Sequence, residues 1–162
     1  MKPDVFGDLR DWGRILAVLR LLEEKGRLDE VQEGLIRLLR YRQNWQLREK
    51  ALLSARRVSN PSESLLFAVL EVVSDRGTYS DARTLASQTL ALLVPRALAR
   101  AGSSGGEAIK QAIVCQLSSL LETPEPPVLS DAIEKAMRTI KFVDVEAEAS
   151  KAAHTSRGEK TC

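Results

Sequence analysis

SDARTLASQTL (Ser80–Leu90) and SDAIEKAMRTI (Ser130–Ile140) begin fifty residues apart and carry the same residue types at the same spacings. Each stretch has Ser-Asp-Ala, then Ala, then Thr, then a branched aliphatic residue. At about 100° of rotation per residue, the shared Ala, Thr and aliphatic positions fall on one side of a helix. Small residues let helices approach closely, and a threonine hydroxyl can donate to the backbone carbonyl one turn earlier. We therefore predict that this side is a packing surface.

A third segment carries the same pattern 35 residues before the first. In all three segments small residues come first, a hydroxyl residue lies in the middle and larger aliphatic residues follow. We call each set a packing stripe. The three stripes are Leu47, Ala51, Ser54, Ala55 and Val58; Ala82, Ala86, Thr89, Leu90 and Leu93; and Ala132, Ala136, Thr139, Ile140 and Val143.

The whole chain is predicted to be all-α, with about seven helices and no competing strand pattern. Caps, turns and apolar periodicity place the helices at about 8–25, 28–42, 44–58, 61–75, 80–94, 107–122 and 130–143. Pro95 either kinks the fifth helix or is passed by a continuation to residue 100. The AGSSGG segment, 101–106, has the composition of a flexible linker. We expect one domain over 1–144 and a flexible C-terminal tail over 145–162.

The predicted helices form pairs, and two of the stripes resemble a known repeat. LREKALLSA (47–55) and DARTLASQTLALL (81–93) are similar to the second helix of HEAT or armadillo repeats, in which an aliphatic-Arg pair precedes Ala and Leu. The resemblance implies a short α-solenoid, in which Arg48 and Arg83 bond an acid or loop carbonyl of a neighbouring repeat. The third stripe has Ala132-Ile133 at this position and lacks the arginine. The alternative architecture is a compact bundle of seven helices.

The composition is that of a soluble globular chain. It has 162 residues, a net charge of +2, 44% hydrophobic and 28% charged residues. Its apolar runs are far shorter than the roughly 20 residues that span a bilayer, and the first residues do not look like a secretory signal. We expect an intracellular, soluble protein with no membrane partner. Cys115 lies in an apolar helical pattern and is predicted to be buried, whereas Cys162 is predicted to be a free thiol on the tail.

Catalytic chemistry has little support in the sequence. The single histidine, His154, lies in the polar tail, and no phosphate-binding loop, serine-hydrolase or zinc-protease motif occurs. The two cysteines have no metal or redox spacing. We predict that the chain is not an enzyme, that it has no catalytic, cofactor-binding or metal-binding residues, and that it needs no cofactor.

The strongest local anomaly is the basic segment between Arg37 and Arg57, which holds seven cations against the single acid Glu49 and also contains two aromatic residues. It is either solvated helix surface, a site for an acidic protein ligand, or a phosphate-binding surface for nucleic acid. The candidate partner-binding residues are Arg37, Arg40, Arg42, Tyr41, Trp45, Arg56 and Arg57.

From these features we predict a non-catalytic scaffold or adaptor that binds a protein or peptide in a short groove. Self-association through the apolar face of a terminal helix is a second form of protein binding. The alternative function is a nucleic-acid-binding helical-repeat module that uses the basic segment.

Overall fold

The computed structural model describes the backbone of residues 4–101 and 103–156, and the side chains of 4–101 and 105–143. Over these residues all regular structure is helical, which confirms the all-α prediction. A 3-10 turn (Leu28–Val31) precedes the second of seven α-helices. The helices are α1 (Trp12–Glu24), α2 (Gln32–Arg40), α3 (Trp45–Ala55), α4 (Glu63–Ser74), α5 (Ser80–Leu98), α6 (Ser103–Leu121) and α7 (Pro127–Ser156).

The helices pack in two layers. Helices α2, α4 and α6 lie side by side in layer A, and α1, α3, α5 and α7 lie side by side in layer B. Each layer A helix also contacts the layer B helix that follows it in the chain, which gives the three pairs α2–α3, α4–α5 and α6–α7. The hydrophobic core lies between the layers and is built mainly from Leu, Val, Ile and Ala.

The packing stripes face this core. All five stripe residues of α3 and its C-terminal extension are buried, as are the last four of α5, whereas Ala82 is half-buried. In α7, Ala136 and Ile140 are buried and the other three are half-buried. The prediction that the repeated pattern is a packing surface is therefore confirmed for α3 and α5, and for Ala136 and Ile140 of α7.

The stripe hydroxyls bond as predicted in two of the three helices. Thr89 donates to the carbonyl of Leu85 at 2.8 Å, and Thr139 donates to that of Lys135 at 3.0 Å. Ser54 instead donates to the Glu23 carboxylate at 2.5 Å. The difference arises because α1 brings an acid against α3.

The cap of α3 was predicted correctly, whereas the caps of α1 and α4 lie at other residues. Asn44 accepts from the Leu47 N–H at 3.1 Å. The cap of α1 is Asp11 rather than Asp8, because the backbone N–H of Asp11 bonds the Asp8 carbonyl in a preceding turn. Ser62 caps α4 through the Leu65 N–H at 3.2 Å, so the predicted cap two residues earlier is wrong.

Two further starts differ by a few residues. Ser80 is the first helical residue of α5 and not its cap. Helix α7 begins at Pro127 rather than at Ser130, because a proline at the first helical position loses no intrahelical bond. Helix α5 passes through Pro95 and ends at Leu98.

The prediction that 101–106 is a linker is wrong for most of that segment, because α6 begins at Ser103. Gly106 is buried at a close approach of two helix ends. A Cβ on Gly106 would lie 3.2 Å from Leu98 Cδ2 and 3.3 Å from Ala101 Cβ. Glycine here serves packing rather than flexibility.

Cys115 is exposed, which corrects the prediction that it is buried. The core side of α6 is defined by Ile113 and Leu117. Cys115 lies two residues from each, or about 200° around the helix, and so points away from the core.

The backbone of α7 continues to Ser156, beyond the predicted end at Val143. The remaining tail, 157–162 with Cys162, lies outside the described residues, as does the side chain of His154.

The N-terminal segment lies against α2. Phe6 is 1% exposed and packs so tightly on Gly34 that a Cβ there would lie 2.4 Å from the Phe6 ring. Arg37 secures the same segment through an ion pair with Asp4 and a hydrogen bond to the Gly7 carbonyl at 2.5 Å. This segment therefore covers the start of layer A.

Arg48 connects the first helix pair to the second. Its Nε donates to the carbonyl of Leu39 in the last turn of α2, at 2.9 Å. Its Nη1 donates to Thr78 in the loop between α4 and α5, at 3.0 Å, and Nη2 lies 3.9 Å from the Asp75 carboxylate. Burial lowers the pKa of Arg48 from its ordinary value, although Asp75 opposes this.

Arg83 repeats this arrangement one pair further along. Its Nε donates to the carbonyl of Val73 at 2.7 Å, and its two Nη atoms each donate to a Glu125 carboxylate oxygen at 2.8 Å. Both side chains of this ion pair are 5% exposed. The hydrogen bonds from Arg83 hold the pKa of Glu125 below its ordinary value, against the effect of burial. We call Arg48 and Arg83 the inter-pair arginines.

The opposite edge of the stack is held differently at its two junctions. The connection between α3 and α4 is bonded from both sides: Asp29 accepts from the Asn60 N–H at 2.6 Å, and Arg96 donates to the carbonyls of Arg56 and Val58 at 2.7 and 2.9 Å. At the junction of α5 and α6 there is instead a cavity of about 290 Å³, bordered by Pro61, Leu66, Ala97 and Ile109 among others.

Candidate partner-binding surfaces

The predicted basic segment is largely neutralised by acids from other parts of the chain. Arg40 on α2 forms a two-point ion pair with Glu71 on α4, with both N···O distances at 2.9 Å. The hydrogen bonds to Glu71 raise the pKa of Arg40 from its ordinary value. Arg37 is engaged by Asp4, and Arg42 lies 3.2 Å from the Asp75 carboxylate.

A second acid, Glu23, lies close to the cations in and after the C-terminal half of α3. Glu23, at the end of α1, accepts from Ser54, lies 3.2 Å from Lys50 Nζ and lies 3.7 Å from Arg57 Nη1. Burial alone would raise the pKa of the Glu23 carboxyl, but these three partners together lower it below its ordinary value. Arg57 is therefore held by the fold, although its side chain is 65% exposed.

The seven predicted partner-binding residues do not form one patch. Arg42 and Trp45 flank the start of α3, whereas Arg56 and Arg57 follow its end. The helix spans 11 residues, which separates the two groups by about 16 Å. The sequence count of cations against one acid missed the partners, because they belong to other helices and loops.

The aromatic residues of the segment lie near the start of α3. Trp45 is 51% exposed and meets Tyr79 edge to face, with ring centroids 6.2 Å apart. Tyr41 is half-buried and donates to Gln43 at 3.1 Å. Trp45 follows the α2–α3 loop, and Tyr79 follows Thr78 in the α4–α5 loop that Arg48 contacts.

A groove lies on the outer side of layer B, between α5 and α7. It encloses about 560 Å³. Its small lining residues are the half-buried Ala91 and Ala132, with the buried Ala136 beneath them. The apolar residues Leu92 and Val128 are 38% and 69% exposed. The remaining lining residues are polar or charged: Arg56, Thr84, Gln88, Asp131, Lys135, Arg138 and Thr139. We call this the α5–α7 groove.

Cations exceed acids in this groove. Arg56, Lys135 and Arg138 line it together with a single acid, Asp131. Arg138 is 3.7 Å from Glu134 on its own helix, an exposed pair. Among the ion pairs of the described residues, Arg56 and Lys135 have no acidic partner. Arg56 is the only one of the seven predicted residues among the lining residues of the groove.

Exposed apolar side chains continue beyond both ends of the groove. Leu53 lies one turn before Arg56 on α3 and is 41% exposed. Phe142 lies one turn after Arg138 on α7 and is 60% exposed. Residues three or four apart share a helix face, so each lies on the same side as the groove residue it neighbours.

The described residues provide no metal site and no unpaired buried polar group. Across the described chain, no group of three or more His, Cys, Asp or Glu side chains is placed to hold a metal ion. Every buried side-chain nitrogen or oxygen within these ranges has a hydrogen-bond partner. None of the described helices is both long enough and apolar enough to cross a membrane.

Comparisons of the chain with family models, curated proteins and solved structures found no match of any of the three kinds.

Proposed function

We propose that this chain is a non-catalytic helical-repeat scaffold of the HEAT/armadillo type, which holds a segment of a partner protein in the α5–α7 groove. The order of helix contacts supports the repeat: successive pairs stack A on A and B on B. The inter-pair arginines also support it. Each donates to the last turn of the layer A helix of its own pair and to the loop that joins the two helices of the next pair.

The groove is the observation on which the partner-binding function rests. A helical-repeat protein binds along a surface to which successive helices contribute, and the groove is lined by residues of α5 and α7 together with Arg56, which follows the end of α3. Its mixture of apolar and polar side chains is typical of protein-binding surfaces. The basic segment favours nucleic acid less, because phosphates would have to displace the acids that already hold Arg37, Arg40 and Arg42.

Affinity purification from the native cell tests this function when baits with an open groove and with a filled groove are compared. The bait is the full chain as wild type, as Gln88→Trp, and as Gln111→Trp. Gln88 is an exposed groove residue, and a tryptophan there fills the groove without entering the core. Gln111 is an exposed α6 residue outside the groove, and its variant is the matched control.

We expect nuclease-treated extracts to yield the same proteins with wild type and Gln111→Trp, and to lose them with Gln88→Trp. Equal recovery on all three baits would show that the groove does not hold the partner. Self-association would appear as recovery of the cell's own copy of this chain with the bait. Light scattering after size-exclusion chromatography checks it, since a monomer at high concentration excludes a stable dimer.

A further inference from the structure

We infer that the occupant of the α5–α7 groove is an acidic amphipathic helix of the partner protein. This inference rests on the proposed function and adds the chemistry of the partner. It depends on three properties of the groove: its charge, its floor and its length.

The charge of the groove is only partly balanced by the chain itself, because three cations and the single acid Asp131 line it. Elsewhere the fold supplies an acid for cations that lie close together, as Glu71 does for Arg40 and Glu23 does for Lys50 and Arg57. Arg56 and Lys135 lack such an acid within the described residues, although they lie at the same groove. A ligand that carries carboxylates would complete these pairs, and complementary charge would also speed its encounter.

The floor of the groove suits a helix better than an extended peptide. Ala91, Ala132 and Ala136 have short side chains, which let the backbone cylinder of another helix approach closely. An extended peptide would need partners for its own backbone N–H and C=O groups. The groove supplies no strand edge for these groups, since its walls are helices, and its polar groups are side chains such as Thr84, Gln88 and Asp131. A helical ligand satisfies its backbone internally.

The apolar residues set the pattern that such a helix must carry. Leu92 and Val128 are exposed in the groove, and the ligand face that covers them must be apolar. From Val128 to Thr139 the groove side of α7 rises by about 17 Å, which corresponds to about three turns of a ligand helix. The expected ligand therefore has apolar residues three and four apart over three turns, flanked by Asp or Glu.

Selection from a displayed library of random peptides of about 14 residues, or about four helical turns, tests the inference directly. The target is the full chain, immobilised as wild type, as Arg56→Glu/Lys135→Glu, and as Arg10→Glu/Lys25→Glu. The last variant reverses two exposed charges outside the groove and is the control. A neutral variant, Arg56→Gln/Lys135→Gln, separates loss of attraction from introduced repulsion. Circular dichroism confirms that all variants fold.

We expect peptides selected on wild type and on the control to be acidic, with apolar residues at helical spacing. Their affinity should fall by about tenfold on Arg56→Gln/Lys135→Gln and further on the charge-reversed variant. The charge-reversed chain should select basic peptides instead.

Three results would overturn the inference. Neutral or basic peptides selected on wild type would contradict the charge argument, as would acidic peptides that bind the reversed variant equally well. Binding of a DNA duplex of about 20 base pairs that depends on Arg56 and Lys135, with no peptide selected, would assign the surface to phosphates. If Gln88→Trp abolishes partner capture while the selected or native segment is not acidic, the scaffold function stands and only the ligand chemistry is wrong.

Discussion

Replacing Arg83 by methionine should lower the free energy of unfolding more than the loss of any exposed ion pair would. Methionine keeps an unbranched apolar stem like that of arginine and lacks the guanidinium, so the main losses are the three hydrogen bonds of Arg83. Two of them go to Glu125 and one to the carbonyl of Val73. Since the Glu125 side chain is 5% exposed, the substitution leaves a buried carboxylate without its main partner.

The size of the stability loss follows from the unpaired Glu125 carboxylate. Removing one member of a buried ion pair costs about 3–5 kcal/mol. Arg76 lowers this cost somewhat, because its Nε remains 3.6 Å from Glu125, but the Arg76 side chain is 57% exposed and its attraction is screened. We expect the free energy of unfolding to fall by about 3–4 kcal/mol, a large part of the roughly 5–15 kcal/mol typical of a domain.

Urea unfolding followed by far-UV circular dichroism measures this loss, with Arg20→Met as the control. Arg20 and Glu24 form an exposed pair, 80% and 60% accessible, so the control should change stability by less than about 0.5 kcal/mol. Arg83→Met/Glu125→Met should be more stable than Arg83→Met, because it removes the unpaired carboxylate. A loss below about 1 kcal/mol for Arg83→Met, as for a surface pair, would refute the reasoning.

Three further results are expected. The free energy of unfolding should fall as the pH drops below about 4.5, the ordinary pKa of a glutamate. The pKa values of Glu23, Asp75 and Glu125 are lowered in the folded state, so the unfolded chain binds more protons in this range. Urea titrations at several pH values should show a shallower fall for Glu125→Gln. Ala86→Leu should cost about 1–3 kcal/mol by overpacking a residue that is 0% exposed, and unchanged stability would show that the stripe is not packed. Gly34→Ala should displace Phe6 and destabilise by a similar amount, whereas Gly13→Ala, where a Cβ meets nothing within 4 Å, should not.

The features that sequence predicted well depend on residues close together in the chain. The packing stripes follow from helical periodicity, so Ala86, Leu90 and Ile140 could be assigned to the core. The Asn44 cap needs only an N–H three residues later. The number of helices follows from the same local signals.

Features that depend on distant residues were not predictable. Arg40 appeared to be an unpaired cation because its acid, Glu71, lies 31 residues further on. The glycines before α6 indicate a loop by composition, and only the approach of Leu98 and Ala101 explains why Gly106 suits a helix. The α5–α7 groove could not be seen in sequence, since it requires the end of α3 to lie beside two other helices.

The unequal junctions of the stack have a mechanical consequence. The third helix pair is tied to the second by Arg83 at one edge, whereas the other edge borders a cavity. Helix α7 nevertheless packs on α5 more extensively than any other two helices pack on each other among the described residues, whereas α6 makes smaller contacts with α4, α5 and α7. The cavity therefore leaves α6, rather than the whole third pair, able to separate from the stack. Amide hydrogen exchange should then show α6 opening at a lower free energy than α2 to α5 and than α7.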